Sequence, residues 1–264
     1  MPVDIMLISF EEDAMRDERP FDRSAKPPPR AWPCPEDLEQ ALATIRQAQK
    51  PIIIGGHGVW WSRAETLLED CARKLNIPVF NVPYHQKLLS EASDVYMGLA
   101  DVHQYHPSKL AIGESDVVIM VGTRLDNQMN FGNPPLFPTS TQLVCVNGSH
   151  EEIELNRAAD QALLSDPGAF FSALGALEPL ASDWIETNRS WRLQWVEDMI
   201  ADIPQLDDDR IHPLQLAIDV QAAMNDGDWL VIRSEERRVG KEGRCGWGGW
   251  VGWGGGGGGG GGGG

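Results

Sequence analysis

From Pro35 to Leu177 the chain alternates between two patterns. Short runs are apolar throughout, and longer stretches carry apolar residues every three or four positions. Pro51 to Gly56, Ile77 to Val82, Asp116 to Gly122 and Gln142 to Asn147 are of the first kind, and each predicts a strand buried on both faces. The stretches between them predict helices. Pro35 suits a first helical turn, Glu36 and Asp37 complement its dipole, and Leu38, Ala41, Leu42 and Ile45 recur at helical spacing. Ser62 to Leu75 repeats the pattern, with Ala64, Leu67, Leu68, Cys71 and Leu75 on one face. Lys109 to Glu114, Glu151 to Ala159 and Gly168 to Leu177 complete the set. Short strands separated by helices predict a parallel sheet covered on both sides. Residues 35–180 therefore read as one α/β domain, a Rossmann-like parallel sheet with helices on both faces.

The flanks read differently. Met1 to Phe10 suits a short strand, and Pro27-Pro28-Pro29 fits an extended linker, because consecutive prolines suit neither a helix nor a central strand. A lone strand has nothing to pair with, so residues 1–34 are expected to be the end of a preceding domain plus its linker. Residues 181–210 hold a polar linker helix at 182–201, in which Trp184, Trp191 and Trp195 fall near one stripe and are expected to pack. Residues 211–232 supply a helix from Ile211 to Met224 and a strand from Asp228 to Ile232, the expected start of a further domain. From Arg233 the pattern stops. Arg233 to Glu242 resembles a translated sequencing-adapter read-through. The rest uses few residue types, as a guanine run would: GGG encodes Gly, and single changes give Trp or Val. More than half of the 28 glycines lie there. Residues 233–264 are expected to be disordered and artefactual, and carry no functional reading here.

A formal net charge of −17 argues against nucleic-acid and anionic-membrane partners, which require clustered Lys and Arg. It leaves room for a single nucleotide held by backbone N–H groups. Cys34, Cys71, Cys145 and Cys245 form no C-x-x-C pair, which argues against a disulfide framework and a zinc site. No signal-peptide pattern follows Met1, and no apolar run nears the roughly 20 residues that cross a bilayer, so a cytoplasmic location is expected.

Candidate chemistry lies at strand ends. Gly55-Gly56-His57-Gly58 joins a buried strand to a helix, where glycines let a phosphate approach backbone N–H groups. Trp61 stands where a third glycine of G-x-G-x-x-G would be, and a tight turn is the competing explanation for the glycines. His57 is either a ligand contact or an ordinary loop histidine. Gly122-Thr123-Arg124-Leu125 follows a central strand. Arg124 suits a phosphate or a structural salt bridge with Asp126 or Asp116. Asn147 suits a ribose hydroxyl or a helix cap. His103-Gln104-Tyr105-His106 lacks metal-ligand spacing. No catalytic residue is assigned within the chain.

The order of these pieces resembles the thiamine-diphosphate-dependent enzymes of the acetolactate synthase, oxalyl-CoA decarboxylase and 2-hydroxyacyl-CoA lyase type. Met1 to Leu7 resembles the last strand of that family's pyrimidine-binding domain, and Pro51 to Gly58 the opening of its central domain. Ser115 to Leu125 is similar to its "D-hydrophobic-V-G-A-R-L" segment, and Asn130-Phe131-Gly132-Asn133-Pro134-Pro135 to the "F-G-x-P-P" of the acyl-CoA branch. His212-Pro213-Leu214 and Asp226-Gly227-Asp228 resemble the entry to the pyrophosphate-binding domain. The resemblance implies a lyase or transferase of 2-keto acids or 2-hydroxyacyl-CoA, working through a thiazolium ylid. It implies thiamine diphosphate and Mg²⁺ held outside this chain, which would itself be inactive, and a homo-oligomeric parent (dimer or tetramer). It also implies a central domain that holds ADP, FAD or nothing; Asp126-Asn127-Gln128 departs from the Asp-Asp-Arg of the FAD-binding branch. Two other readings remain: a free-standing ADP-, FAD- or NAD-binding module, and a non-catalytic scaffold.

Overall fold

The computed structural model describes residues 30–83, 88–153, 155–204, 211–224, 229–232 and 237–240. The strand expected near Met1, the triple-proline linker and the glycine run after Gly254 lie outside the described residues.

Six strands form one parallel sheet: β1 (Pro51–Gly55), β2 (Val79–Asn81), β3 (Tyr96–Leu99), β4 (Val117–Val121), β5 (Gln142–Asn147) and β6 (Gln161–Leu164). Their order is β3-β2-β1-β4-β5-β6, and every pairing is parallel. The central pair runs in register from Pro51↔Val117 to Gly55↔Val121, and both strands are buried along their whole length. Such strands need cover on both faces. Burying each of Ile52, Ile53 and Ile54 contributes about 1.5–3 kcal/mol, which accounts for their unbroken apolar run.

Helices α1 (Pro35–Gln47), α2 (His57–Trp61), α3 (Glu65–Leu75), α4 (His106–Glu114), α5 (His150–Ile153) and α6 (Pro167–Leu174) connect and cover the strands. Four differ from the expected ranges, and α4 begins at His106, three residues before Lys109. The helix expected from Ser62 starts at Glu65, because Arg63 takes φ 53° and separates it from α2. Its buried face is Leu68, Cys71, Ala72 and Leu75, whereas Leu67 is exposed. The helix expected over 151–159 lasts a single turn, and Asn156, at φ 75°, lies where it was expected to continue. α6 begins one residue earlier than expected, capped by Asp166, and ends at Leu174 rather than Leu177.

The expected linker helix, α7 (Trp184–Ala201), is part of the domain's core. Trp184, Ile185 and Val196 are buried with Leu177 and Leu180. Trp184 meets Trp191 edge to face at 5.3 Å, and Trp195 meets Tyr105 in the same way at 4.7 Å. Arg192 crosses from α7 to the sheet, donating to the Tyr96 carbonyl at 2.6 Å and pairing with Glu91. At the other end, Arg30 donates to the Ser62 carbonyl at 3.2 Å and meets Asp166 at 3.4 Å, so the incoming segment is tied to the start of α6.

Helix α8 (Pro213–Ala223) follows, capped by the His212 ring, which accepts from the Leu214 N–H. Strand β7 (Trp229–Ile232) pairs antiparallel with β8 (Arg237–Gly240). β8 falls inside the 233–264 stretch for which disorder was expected.

Candidate site at the carboxyl ends of the central strands

The chain leaves β1 toward β2 on one side and leaves β4 toward β5 on the other. The strand order therefore reverses between β1 and β4, where open parallel sheets take ligands. The structure brings together at this edge the residues expected there: Gly55, Gly56 and His57 after β1, Gly122, Thr123 and Arg124 after β4, and Asn147 at the end of β5.

The glycines hold the two loops against each other. Gly56 donates its N–H to the Val121 carbonyl at 3.0 Å, and Gly58 donates to the Gly122 carbonyl at 2.9 Å. A Cβ on Gly56 would stand 2.4 Å from the Thr123 Cβ, and one on Gly58 would stand 2.6 Å from the Gly122 Cα. Gly122 takes φ +63°. Close approach, more than the turn itself, thus requires glycine at these positions. Gly55 packs beneath, facing Leu88 and Leu68. His57 opens α2 and meets the rings of Trp60 and Trp61 at 5.5 and 5.7 Å.

The polar residues beyond β4 are also engaged. Arg124 pairs with Glu152 through one guanidinium nitrogen, Nη1, at 3.0 Å to one carboxylate oxygen and 3.3 Å to the other, and its side chain is about half exposed (52%). This corrects the expected partners. Asp116 lies at the opposite, amino edge, where it accepts the N–H groups of Gln49 and Lys50 at 2.6 and 2.9 Å. Asp126 accepts the Gln128 N–H at 3.1 Å. Asn147 donates to the Thr123 carbonyl at 3.2 Å and accepts the Ser149 N–H at 3.0 Å, bridging two strand ends and turning the chain into α5.

Sequence reasoning missed several residues here. Asn156 donates to the Leu125 carbonyl at 2.6 Å. With the carbonyls of Thr123 and Leu125 drawn to Asn147 and Asn156, planar trans peptides turn the N–H groups of Arg124 and Asp126 the opposite way. The His103 ring bonds the Asn127 carbonyl at 2.8 Å, and Val102 donates to the Gln128 carbonyl at 2.9 Å. β2 and β1 lie between β3 and β4, so these connections meet across the carboxyl edge of the sheet. The 3-10 turn Asn127–Gly132 that follows carries consecutive left-handed residues, Asn130 (φ 51°), Phe131 (φ 55°) and Gly132 (φ 72°). Arg157 braces it, donating to the carbonyls of Gly132 at 3.3 Å and Thr141 at 2.8 Å. Asparagines at turns and lone arginines carry no periodic signal, which is why only contacts across the fold reveal these roles.

Below the edge Tyr96, Tyr105 and Cys71 are buried. Tyr105 donates its hydroxyl to the Met97 carbonyl at 2.7 Å, and burial raises the pKa of both Tyr96 and Tyr105. Burial pushes the Cys71 thiol up to about 12. Among the described residues no group of three His, Cys, Asp or Glu side chains is placed to hold a metal, and no helix is long and apolar enough to cross a membrane. A cleft of 280 Å³ lined by Arg46, Gln49, Glu178 and Leu180 lies at the amino edge, at the opposite end of the sheet from Gly56, Gly122 and Arg124.

Comparison with known proteins agrees with this architecture. The thiamine pyrophosphate enzyme central-domain model matches residues 38–174, about half of the chain. A 2-hydroxyacyl-CoA lyase of Arabidopsis thaliana is 31% identical over 163 residues, covering 60% of this chain and 26% of that protein. An acetolactate synthase large subunit of Mycobacterium tuberculosis is 29% identical over 205 residues, covering 76% of this chain and 35% of that protein. The chain thus spans about a quarter to a third of the length of these relatives. Benzoylformate decarboxylase from Polynucleobacter necessarius superposes with a TM-score of 0.59 at 14% identity, over 88% of this chain and 44% of that one. A putative thiamin diphosphate-dependent enzyme from Mycobacterium smegmatis gives 0.59 at 17% identity, over 86% and 41%. The fold likeness and the family match converge: the chain belongs to the thiamine pyrophosphate enzyme family, and its six-stranded sheet lies within the stretch that matches that family's central domain.

Proposed function

We propose that this chain supplies the central domain of a thiamine-diphosphate-dependent lyase or transferase that decarboxylates or joins 2-keto acids, or cleaves a 2-hydroxyacyl-CoA. The observation that carries the reading is the central-domain match over residues 38–174 in a chain that spans only part of its relatives. Thiamine diphosphate and Mg²⁺ belong, in this reading, to neighbouring domains of a cytoplasmic dimer or tetramer. Among the described residues no three His, Cys, Asp or Glu side chains are placed to hold Mg²⁺. No chemical step is therefore assigned to them. The test is turnover by the purified chain, supplied with thiamine diphosphate, Mg²⁺ and either pyruvate or a 2-hydroxyacyl-CoA. The expected result is none, and release of CO₂ or aldehyde by the chain alone would overturn the reading.

A nucleotide site at the carboxyl edge is the second part of the proposal. It takes ADP or FAD above the paired loops, with Gly55, Gly56, His57, Gly122 and Thr123 as its floor, Arg124 toward the diphosphate and Asn147 toward the ribose. The reversal of strand order between β1 and β4 favours this edge. Arg124 is exposed enough to turn from Glu152 to a phosphate. Calorimetry with ADP, FAD and NAD should show binding of one nucleotide per chain. If none of the three binds, the domain spaces and orients its neighbours instead.

A further inference from the structure

The cleft at the amino edge of the sheet takes no part in the reading above. Its 280 Å³ lie between two segments. One is the carboxyl end of α1, which contributes Arg46 from its last turn and then Ala48 and Gln49. The other is the loop between α6 and α7, which contributes Glu178 and Leu180. Hydrogen bonds fix both walls. Asp116 accepts the backbone N–H groups of Gln49 and Lys50, and the Ser182 hydroxyl donates to the Gln49 carbonyl at 2.7 Å. The same hydroxyl oxygen accepts the Trp184 N–H at 3.2 Å, which fastens the loop to the start of α7. The cleft is thus formed in advance, as small-molecule sites are.

Its lining carries both signs of charge. Arg46 meets Glu39 at 4.0 Å, between side chains 54% and 71% exposed, and an ion pair of that kind is worth little. Glu178 makes no ion pair among the described residues. Lys50, the nearby cation, is engaged by Glu114 at 3.0 Å and by the Trp184 ring at 4.9 Å. The carbonyl end of α1 adds a partial negative charge. Ala48 and Leu180 are buried and supply apolar surface. A simple anion would gain Arg46 but meet Glu178, and a simple cation would meet the reverse. A zwitterion satisfies both, and an aliphatic tail covers the apolar surface. The volume is just under the range of about 300–1,000 Å³ of small-molecule sites, which suits a ligand of amino-acid size. We propose that this cleft binds an aliphatic α-amino acid, with its carboxylate on the Arg46 guanidinium, its ammonium on the Glu178 carboxylate and its side chain against Leu180. The inference does not depend on the nucleotide site, which lies at the other end of the sheet.

The experiment titrates L-norleucine, hexanoate and pentylamine into the 264-residue chain and follows its backbone amide NMR signals. Norleucine should shift the amides of Ala48, Gln49 and Ala181, which line the cleft, with a Kd of about 1 mM or below. Hexanoate lacks the ammonium and pentylamine lacks the carboxylate. Each should bind about tenfold more weakly or worse, the loss expected for one charged hydrogen bond. Arg46→Met and Glu178→Gln replace exposed side chains and should keep the fold. Each should weaken norleucine binding by about tenfold or more. Glu178→Gln should also erase the preference for norleucine over hexanoate, which a general loosening of the loop would not do. Amides unmoved in the parent chain at about 50 mM norleucine would overturn the proposal. An undiminished preference for norleucine over hexanoate in Glu178→Gln would overturn it equally.

Discussion

The backbone N–H of Gly58 reaches the carbonyl oxygen of Gly122 at 2.9 Å, and this contact joins the loops that follow the two central strands. Neither residue tolerates a side chain. A Cβ on Gly122 would stand 2.7 Å from the Gly58 Cα and 2.7 Å from the Val59 nitrogen. Those are backbone atoms and cannot swing aside.

Gly122→Ala should therefore destabilise the domain by about 2–4 kcal/mol, combining overpacking with the penalty for a left-handed alanine. Gly113 is the internal control. It lies in α4, and a Cβ there would meet nothing within 4 Å. Gly113→Ala should stabilise by about 0.5–1 kcal/mol through helix propensity. Urea denaturation of both variants separates the cases. Equal midpoints would show that the loop contact does not hold the strand ends together.

Asp166 joins three segments. Its Oδ1 accepts the N–H groups of Gly168 (2.9 Å) and Ala169 (3.3 Å), its Oδ2 accepts the Ser62 hydroxyl at 2.7 Å, and Arg30 approaches at 3.4 Å. Asp166→Ala should cost about 1–2 kcal/mol from the lost cap. Asp166→Asn keeps an acceptor for α6 and should recover most of that stability. The same pair of variants, probed by proteolysis near Arg30, should show faster cleavage in Asp166→Ala than in the parent chain. Unchanged cleavage would mean that Arg30 is not held there.

What the sequence disclosed and what it concealed follow from one physical difference. β1 and β4 are buried on every residue, so Ile52-Ile53-Ile54 and Val117-Val118-Ile119 stand out as unbroken apolar runs. β6 lies at the sheet edge and buries only Leu163 of its four residues, and β3 is interrupted by Gly98 at φ +109°. Neither presents a run that distinguishes strand from loop. The glycines at the site were legible as glycines, but their purpose was not. Whether Gly58 admits a phosphate or the backbone of Gly122 depends on a partner 64 positions away. The Arg124 partner eluded local reading for the same reason: Glu152 faces it across a strand end, while Asp126 is nearer in sequence and bonds its own turn.

Arg192 should fasten α7 to the domain more strongly than a surface ion pair would. Its partners are the Tyr96 carbonyl at 2.6 Å and Glu91, its guanidinium lies 5.4 Å from the Tyr96 ring, and both charged side chains are only about one-fifth exposed (22% and 20%). A hydrogen-bonded, half-buried charge of this kind is worth about 1.5–3 kcal/mol. Arg192→Ala should lose that amount and leave Glu91 short of its cation. Arg192→Lys should recover only part of it, because an ammonium lacks the planar fork. Hydrogen exchange should show α7 opening in Arg192→Ala while β1 and β4 stay protected. Simultaneous exchange of all three elements would show instead that α7 and the sheet unfold as one unit.

Burial of Cys71 makes alkaline pH a specific stress on this domain. In the folded chain the thiol is pushed up to about 12, chiefly by desolvation, whereas in the unfolded chain it ionises near 8.5. Between those values the unfolded state has released a proton that the native state still holds. The native state therefore binds more protons, and stability falls as pH rises. This contribution is fully present below about pH 8.5, and it is lost at up to about 1.4 kcal/mol per pH unit above that. The buried hydroxyls of Tyr96 and Tyr105, also raised by burial, act in the same direction above about pH 10. Cys71→Ala removes the thiol's share at the cost of a small cavity. Its denaturation midpoint should be lower than that of the parent at pH 7, and the difference should shrink between pH 8.5 and 10. A gap that stays constant across that range would show that the thiol is not protonated selectively in the folded chain.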